Sequence, residues 1–356
     1  MEQRIGRLRK KMAEAGLESF LISNPFNRRY ISGFTGSAGL ALITASEAIL
    51  ITDFRYLTQV KEQAPHMTLV QHTGSIFGTV AKECQKLGIK KLAFEQDHLT
   101  FAEAMKLKEA LGEIQTEPVS GIVEELRMIK DTEELEIIRE AASIVDRTFA
   151  TIVQELKPGM KEQEVALRIE VLMREMGASS SSFETIVASG KRSALPHGTA
   201  SSKKLEKGDL VTLDFGAYYK GYASDITRTV MLGKPNEKQK EIYDIVLEAN
   251  KQTVSAVRSG ITGSEADAIA RDYIKKHGYG DNFGHGTGHG LGLEVHEAPR
   301  LSALGDTVLA PGMVVTVEPG IYLPDFGGVR IEDDVIVTES GNEVITHANK
   351  ELIIID

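Results

Sequence analysis

Cysteine and tryptophan are almost absent from this chain. A single cysteine, Cys84, occurs in 356 residues, and there is no tryptophan. One thiol cannot form an internal disulfide, which excludes a fold stabilised by disulfide bonds. Residues 1–16 are charged throughout and do not have the apolar segment of a secretory signal peptide. We therefore expect a cytoplasmic protein.

Long apolar runs and an excess of positive charge are also lacking. The most apolar stretch, residues 39–51, is interrupted by polar residues and is shorter than the ~20 residues of a membrane-spanning helix. Acidic residues outnumber basic ones by 51 to 41, which gives a formal net charge of −10. The sequence thus has no electrostatic footprint for a phosphate backbone. We expect neither a membrane nor a nucleic acid as a partner.

The length of the chain indicates two domains, because one domain typically has about 100–200 residues. Short strand-like and helix-like runs alternate in the first third, which is typical of an α/β domain. Its predicted helices are 3–15, 56–63, 76–87 and 101–111, and its predicted strands are 20–23, 40–43, 48–53, 68–71 and 91–95. Residues 118–121 interrupt the pattern. We therefore place one domain over residues 1–125 and a second over residues 126–356.

Two helix signals open the second domain. Asp131 and Glu134 have the spacing of a capping box, in which each side chain bonds to the backbone of the other residue. Apolar residues then recur at helical spacing as far as Ile152, and Pro158–Gly159 ends the helix. A second helix is predicted over residues 161–176, with Gly177 after its C-terminal end.

This helix pair recurs about one hundred residues later. Residues 156–164 (LKPGMKEQE) resemble residues 257–265 (VRSGITGSE), and residues 211–218 (VTLDFGAY) resemble residues 315–322 (VTVEPGIY). Each copy thus runs helix, helix and β-hairpin, with an acidic residue, Asp214 or Glu318, at the same position. We infer an internal duplication with approximate two-fold symmetry.

Each predicted hairpin carries a second acidic residue. With Lys220–Gly221 as the loop, Asp214 lies opposite Thr227, and Asp225 lies diagonally from Asp214 on the same face of the hairpin. The second copy carries Glu332 after Glu318, but its longer loop leaves the strand register undetermined.

The symmetry predicts that these four acids converge. A pair of like charges at ~4 Å costs on the order of 4 kcal/mol at an effective dielectric constant of about 20, so protons or cations must neutralise the cluster. The acids would otherwise have to lie on solvated hairpin faces. Two matching pairs in a duplicated element favour instead a two-metal site, with ions ~3.5–4 Å apart.

Histidines add to this pattern. His285, His289 and His296 fall within the segment Gly284–Pro299 (GHGTGHGLGLEVHEAP). Its alternating glycines argue against a helix and indicate an extended backbone that other groups approach closely. The spacing does not say which histidine binds a metal. His197, in LPHGTA, is as consistent with a structural role as with a functional one.

Five separate motifs carry a family resemblance. The segments VTLDFGAYYKGYASDITRTV, GHGTGHGLG, HEAP, TVEPG and GVRIEDD resemble, in the same order, those of the proline-specific metallopeptidases of the pita-bread fold, aminopeptidase P and prolidase. The resemblance covers nearly the whole chain. It implies an α/β N-terminal domain of the creatinase type over residues 1–125. It further implies an α+β pita-bread catalytic domain with an internal pseudo-two-fold duplication over residues 126–356.

The resemblance also implies roles for individual residues. Five residues would bind two divalent ions, with Asp225 and Glu332 bridging them: Asp214, Asp225, His289, Glu318 and Glu332. Four further residues would be catalytic or would contact the substrate: His197, His285, His296 and Arg330. Glu318 would belong to both groups.

These residues support hydrolysis of an Xaa-Pro bond, at the N-terminus of a peptide or in a dipeptide. Two metals would lower the pKa of a bridging water, so that hydroxide attacks the scissile carbonyl. Glu318 would carry the proton toward the leaving prolyl nitrogen, while His296 or His197 helps to stabilise the oxyanion. Oxygen ligands with a single imidazole favour Mn²⁺, although Co²⁺, Fe²⁺ and Zn²⁺ also fit.

Other functions stay open at this point. A methionine-type or broader-specificity aminopeptidase would share the fold and several motifs, and a non-catalytic scaffold would bind peptides without cleaving them. Phosphoester hydrolysis would use the same two-metal chemistry. The sequence around Arg330 and the extra N-terminal domain favour the proline-specific branch. Because related enzymes often dimerise through that domain, we expect a homodimer, and the lack of tryptophan excludes an indole lid from a neighbouring subunit.

Overall fold

A six-stranded mixed sheet organises the first of two units, Met1–Arg127 and Met128–Asp356, in the computed structural model, which describes residues 1–356. The strand order is β4-β3-β2-β1-β5-β6. The elements of this unit are α1 (Glu2–Glu14), β1 (Ser19–Ile22), α2 (Pro25–Ser32), β2 (Leu40–Thr44), β3 (Ala48–Thr52), α3 (Leu57–Gln63), β4 (Thr68–Gln71), α4 (Ile76–Lys86), β5 (Lys91–Glu95), α5 (Phe101–Leu111), β6 (Gln115–Val119) and α6 (Ile122–Met128). The predicted α/β class of this part is confirmed.

Three elements of this unit, α2, β6 and α6, were not predicted from the sequence. Helix α2 has only eight residues, about two turns, and it buries the polar residues Asn27 and Arg28, so residue type does not mark its buried face over a length that reveals a helical period. Strand β6 contains Pro118, which lacks a backbone N–H. The strand lies at the edge of the sheet and pairs only with β5, and an edge position tolerates proline.

The second unit begins with two helices and a set of short strands. Its first half consists of α7 (Thr132–Glu155), α8 (Glu162–Glu175), β7 (Ser180–Ser181), β8 (Ile186–Ser189), β9 (Leu210–Phe215), β10 (Ala217–Tyr219), β11 (Tyr222–Ala223) and β12 (Ile226–Leu232). The capping box of Asp131 and Glu134 at the start of α7 is confirmed. Gly177, with φ of 107°, follows the end of α8 as predicted.

The second half of this unit repeats the arrangement. It consists of α9 (Glu237–Ala256), α10 (Gly263–Lys276), β13 (Gly288–Gly290), β14 (Glu297–Leu301), β15 (Val314–Val317), β16 (Gly320–Leu323), β17 (Gly327–Arg330), β18 (Asp333–Val337), β19 (Asn342–Val344) and β20 (Ile354–Ile355). Two sheets, β20-β12-β9-β8 and β14-β13-β15-β18-β19, form the framework. The buried faces of the helices pack on them through apolar cores.

Equivalent backbone hydrogen bonds confirm the predicted duplication. Before α8, the N–H of Gly159 donates to the carbonyl of Leu205 at 2.8 Å, and before α10 the N–H of Gly260 donates to the carbonyl of Leu309 at 2.9 Å. The offset between the copies is 101 residues at the helices and 104 at the strands, as in the sequence comparison. None of the helices is both long and apolar enough to cross a membrane.

Candidate metal centre

The first hairpin has the register that the sequence predicts. Asp214 pairs with Thr227, and the two-residue loop Lys220–Gly221 has positive φ at both positions, 46° and 83°. Such a loop matches the twist of the flanking strands. Asp225 precedes Thr227 by two positions, so its side chain lies on the same face as that of Asp214. Both carboxylates are buried.

The second hairpin differs from the first in a way that the sequence left open. Its pairs Val317–Asp333 and Gly320–Arg330 bracket Glu318 and Glu332, which places those two acids directly opposite each other rather than diagonally. The prediction that the acids form two matching pairs is therefore wrong in detail.

Residues of different chemical type occupy equivalent positions in the two hairpins. Arg330 lies where symmetry with the first copy would place an equivalent of Asp225, and Thr227 lies where it would place an equivalent of Glu332. Both residues are used at the site. Thr227 donates a hydrogen bond to Glu332 at 2.6 Å, and Arg330 donates to Asp214 at 2.5 Å and to Thr227 at 3.1 Å.

The returning strands of the two hairpins contact each other, and this brings the acids together. The N–H of Glu332 donates to the carbonyl of Thr227 at 3.0 Å, and Thr229 exchanges hydrogen bonds with the backbone of Arg330. Asp334 accepts the N–H of Asp225 at 2.9 Å. The predicted convergence of acids from both copies is therefore present in the fold.

His289 enters the cluster from β13, a strand that glycine allows to lie unusually close to its neighbours. A Cβ on Gly288 would lie 1.9 Å from the carbonyl oxygen of Thr316, and one on Gly290 would lie 2.1 Å from that of Ala298. The extended, closely approached backbone predicted for this segment is confirmed, and the glycines are required for it.

The ring of His289 is oriented for ligation through one nitrogen. Its Nδ1 bonds to the carbonyl of Gly290 at 3.1 Å, which leaves Nε2 directed at the acids, 3.4 Å from Glu318 and 3.8 Å from Asp225. A backbone carbonyl on the remote nitrogen is the usual partner of a metal-binding histidine. Burial, followed by the nearby His296, lowers the pKa of His289 to about 4, so the imidazole is neutral, as a ligand must be.

The acids carry more negative charge than their surroundings balance. Burial and the charges of Glu332 and Asp214 raise the pKa of Asp225 well above its ordinary value. Burial and Glu332 do the same to Glu318, and burial and Asp214 raise the pKa of Glu332 to about 8. Each of these acids would thus bind a proton or a cation more readily than an exposed carboxylate.

Two observations indicate that cations fit here. Ligand atoms of Asp225, His289 and Glu332 all lie within 4.8 Å of one another. In addition, the Oδ1 atoms of Asp214 and Asp225 are buried without a hydrogen-bond partner. Buried carboxylate oxygens are rarely left unpaired, and oxygen donors with one imidazole suit a hard or borderline divalent ion.

The cluster lies at the floor of a cleft of about 660 Å³. All nine of the predicted site residues line it: His197, Asp214, Asp225, His285, His289, His296, Glu318, Arg330 and Glu332. His197 and His296 are exposed on its walls, and the rings of His296 and His289 meet edge to face at 4.3 Å. His285 differs from these, because Gly286 and Tyr322 bond to its two ring nitrogens at 2.8 and 2.7 Å.

Three residues near the site were not found from the sequence. Tyr322 bridges His285 and Arg330: its hydroxyl donates to Nε2 of His285 at 2.7 Å and accepts from Arg330 at 2.8 Å. Asn250 donates to the carbonyls of Val317 and Ile331, the residues that precede the two glutamates. Arg300 lines the cleft opposite His289 on β14. Tyr322 ends the repeated VTVEPGIY run, which is the one available signal; the other two require the fold.

Two family models match the chain. The model described as metallopeptidase family M24 matches residues 136–339, which is more than half of the chain. The model described as the creatinase/prolidase N-terminal domain matches residues 4–129. The predicted fold class, a creatinase-type α/β domain followed by a duplicated pita-bread α+β domain, is confirmed.

Individual relatives agree with the family models. An Xaa-Pro dipeptidase from Pyrococcus furiosus is 42% identical over 355 residues, which span 99% of this chain and 100% of the relative. An Xaa-Pro dipeptidase structure from Bacillus anthracis is 56% identical, with a TM-score of 0.97 and coverage of 99% of each chain. An X-Pro aminopeptidase structure from Thermotoga maritima is 40% identical, with a TM-score of 0.91 and coverage of 97% and 100%.

Proposed function

Because this chain belongs to metallopeptidase family M24, we propose that it is an exopeptidase that hydrolyses the bond between an amino acid and proline. The observation that carries the proposal is the buried cluster of unbalanced carboxylates and one neutral imidazole at the floor of a cleft. Relatives that resemble it over their full length are named for Xaa-Pro cleavage. We also propose that residues 1–125 form an accessory domain and residues 126–356 the catalytic one.

We propose that Asp214, Asp225, His289, Glu318 and Glu332 hold two divalent ions, with Mn²⁺ preferred over Co²⁺, Fe²⁺ and Zn²⁺. The buried, unpartnered oxygens of the two aspartates support this assignment. When bound, such ions lower the pKa of water and polarise a carbonyl group. The protein contributes the geometry, because Thr227 and the Gly290 carbonyl fix the orientations of Glu332 and His289.

Proton transfer is assigned to Glu318. Its carboxylate accepts a hydrogen bond from Thr316 at 3.4 Å and otherwise faces the cleft, where it accepts a proton from the attacking water and delivers it to the prolyl nitrogen. His197 and His296, which are exposed on the cleft walls, hydrogen-bond to the substrate carbonyl. Hydrogen bonds with Gly286 and Tyr322 fix the orientation of the His285 ring in the cleft.

We propose dipeptides as the preferred substrates because of Arg300. This exposed guanidinium pairs in register with His289, so both side chains lie on one face of the sheet and line the cleft. In a cleft whose floor is acidic, an arginine on the wall supplies the positive charge that the carboxylate of an Xaa-Pro dipeptide requires. Arg300 would then hold the carboxylate end of the substrate, and ions held by the five candidate ligands would bind its other end.

The proposal is tested by following proline release from an Xaa-Pro dipeptide. Chelation is expected to abolish release, and added Mn²⁺ is expected to restore it. Glu318→Gln is expected to lower turnover by several orders of magnitude, whereas Glu339→Gln, at an exposed residue away from the cleft, leaves it unchanged. Full activity of the chelated protein, or of the Glu318 variant, would contradict the proposal.

The same assay separates the alternatives. A substrate panel with Xaa-Pro dipeptides, Xaa-Pro-Xaa peptides, methionyl peptides and a phosphate ester distinguishes a proline-specific dipeptidase from its relatives. Binding of Mn²⁺ without cleavage of any member identifies a scaffold. We further propose a homodimer, and sedimentation of the purified protein at the mass of a single chain would contradict this.

A further inference from the structure

The two halves of the second unit each hold one wall segment of the cleft against a helix N-terminus. In the first half, residues 190–201, here called the His197 segment, contribute Pro196, His197 and Thr199 to the cleft. The equivalent residues of the second half, 294–305, contribute His296 and Arg300. Both segments end in backbone hydrogen bonds from the first turn of a helix.

These backbone bonds are equivalent in the two halves. The N–H groups of Glu162 and Gln163 donate to the carbonyls of Lys203 and Ser201 at 3.0 and 3.1 Å. In the second half, the N–H groups of Gly263 and Ser264 donate to the carbonyls of Thr307 and Gly305 at 3.1 and 2.7 Å. Glu162 therefore occupies the position that Gly263 occupies in the other half.

The two halves differ in the space that is available for a side chain at this position. A Cβ on Gly263 would lie 2.0 Å from the carbonyl oxygen of Arg300, so no side chain fits there. At Glu162, in contrast, a whole carboxylate is enclosed, and the side chain is 0% exposed. A charge is buried only when hydrogen bonds compensate for its lost hydration. The first half therefore contains a buried, hydrogen-bonded carboxylate for which the second half has no space.

The Glu162 carboxylate collects donors from both ends of the His197 segment. Oε1 accepts from the N–H and the hydroxyl of Ser189, both at 2.8 Å, immediately before the segment. Oε2 accepts from the N–H and the hydroxyl of Ser201 at 3.0 and 2.6 Å, at its end. Arg192, inside the segment, donates to Oε2 at 2.9 Å and to the carbonyl of Thr199 at 2.5 Å.

The ionisation of the Glu162 carboxylate is consistent with the hydrogen bonds that it accepts. Burial acts to raise the pKa of Glu162, but hydrogen bonds from Ser201 and Ser189 outweigh it and keep the pKa below the usual value. Ionised at neutral pH, the group also lies in the first turn of α8, where the helix dipole favours negative charge.

We propose that Glu162 is a positioning residue that closes the His197 segment into a fixed loop and thereby holds His197 on the wall of the cleft. It contacts neither the substrate nor the five candidate metal ligands. Removing its charge releases both ends of the loop, while the metal cluster, built from the two hairpins, keeps its own supports. The effect on turnover rests on the proposed function, but the effect on the loop does not.

The test compares Glu162→Gln with Glu164→Gln in the whole protein. Glu164 lies in the same helical turn, is exposed, and accepts the N–H of Lys161 at 2.9 Å, a bond that glutamine can also accept, so its variant reports the loss of one negative charge in the first turn of α8. The segment contains Lys191 and Arg192, which are trypsin cleavage sites. Digestion followed by mass spectrometry measures opening of the loop, and calorimetric titration with Mn²⁺ measures the metal cluster.

In Glu162→Gln, we expect cleavage after Lys191 and Arg192 to accelerate about tenfold or more, as for loss of a hydrogen bond to a charged group. Mn²⁺ affinity should stay within about twofold, and kcat/KM for an Xaa-Pro dipeptide should fall about tenfold. If Glu162→Gln does not fold, Ser201→Ala removes one donor and is expected to give a smaller change in the same direction.

Two results would overturn the proposal. One is cleavage of the loop at the same rate in Glu162→Gln and Glu164→Gln. The other is a parallel loss of Mn²⁺ affinity and melting temperature, which would make Glu162 a general structural residue. A wild-type protein that does not cleave Xaa-Pro peptides refutes the proposed function only, because the trypsin comparison is independent of turnover.

Discussion

The acidic residues of the candidate metal centre illustrate how single side chains are held in an unfavourable state. Arg330 donates to Asp214, but three further acids lie close by, and the pKa values of Asp225, Glu318 and Glu332 are raised by burial and by one another. A protein keeps such a cluster at a cost in stability. The cost is removed when a cation binds, so stability and ligand affinity are linked at this site.

Metal affinity is expected to increase with pH. Acids with raised pKa values retain protons in the metal-free protein, up to about pH 8 for Glu332, and a cation must displace them. Titration with Mn²⁺ in buffers of different ionisation enthalpy should show proton release, and the affinity should rise between about pH 5 and 8. The free energy of unfolding of the metal-free protein is expected to change in the opposite direction. Folding raises the pKa of these groups, so ionising them as the pH increases destabilises the folded state.

Asp225→Asn is the matched variant for this prediction. It removes one charge from the cluster, so the metal-free protein should lose less stability with rising pH, while Mn²⁺ binding should weaken. Asp281→Asn, at an exposed position, should leave both unchanged. An affinity that does not depend on pH would contradict this account of the charges.

Secondary-structure elements position these side chains through close backbone contacts and buried ion pairs. Strand β13 is accommodated between β14 and β15 because its residues alternate with glycine. At the start of β14, Lys130 and Glu297 form an ion pair at 2.6 Å whose side chains are 1% and 8% exposed. Glu297 directly follows His296, so this pair is located where it fixes one wall of the cleft.

Gly288→Ala is expected to destabilise the fold by at least about 2 kcal/mol, because the added methyl group would overlap the Thr316 carbonyl and displace β13. Mn²⁺ affinity should fall with it, since His289 lies on the same strand. Urea unfolding and metal titration measure the two effects. Gly284→Ala is the control, because open space surrounds that position and stability should be unchanged. Equal stability of both variants would refute the close packing.

Lys130→Met is expected to cost about 3 kcal/mol, because it withdraws an ammonium group from a buried carboxylate. The comparison is Lys251→Met, which breaks an ion pair of similar length, 2.7 Å with Glu351, whose side chains are 43% and 64% exposed. That variant should lose less than about 1 kcal/mol. Similar losses in urea unfolding would show that burial does not distinguish the two pairs.

At the scale of the whole molecule, the duplication provides the framework and its departures provide the site. The helices, the hairpins and the bonds at the helix N-termini are equivalent in the two halves. The differences are the residue types at equivalent positions: Arg330 against Asp225, Glu332 against Thr227, and Gly263 against Glu162. The cleft between the two halves of the second unit therefore has walls with different side chains. A peptide substrate, whose two ends differ, requires such an asymmetric cleft.

Metal binding is expected to raise the melting temperature of the whole protein. A ligand present at a hundredfold excess over its dissociation constant stabilises the native state by about 2.7 kcal/mol. For a unit the size of Met128–Asp356, this corresponds to a shift of roughly 5–10 °C. Calorimetry with Mn²⁺ and with a chelator measures it, and Asp214→Ala should reduce the shift. Identical melting in both conditions would contradict a metal centre.

Local patterns in the sequence determined much of this protein. Capping residues, apolar periods and the two-residue loop at Lys220–Gly221 act over a few neighbouring residues, so most of the helices, the first hairpin and its Asp214–Thr227 register were predictable. The repeat predicted the duplication and the convergence of acids for the same reason, since equal segments fold equally.

Tertiary structure alone decided the rest. The register of the second hairpin depends on a longer loop and on contact with Thr227 and Thr229, which are about one hundred residues away in sequence. The donors that surround Glu162 come from three separate positions, and Arg300 reaches the cleft only because β14 pairs with β13. Such contacts join residues distant in sequence, and no short-range preference encodes which of them will meet.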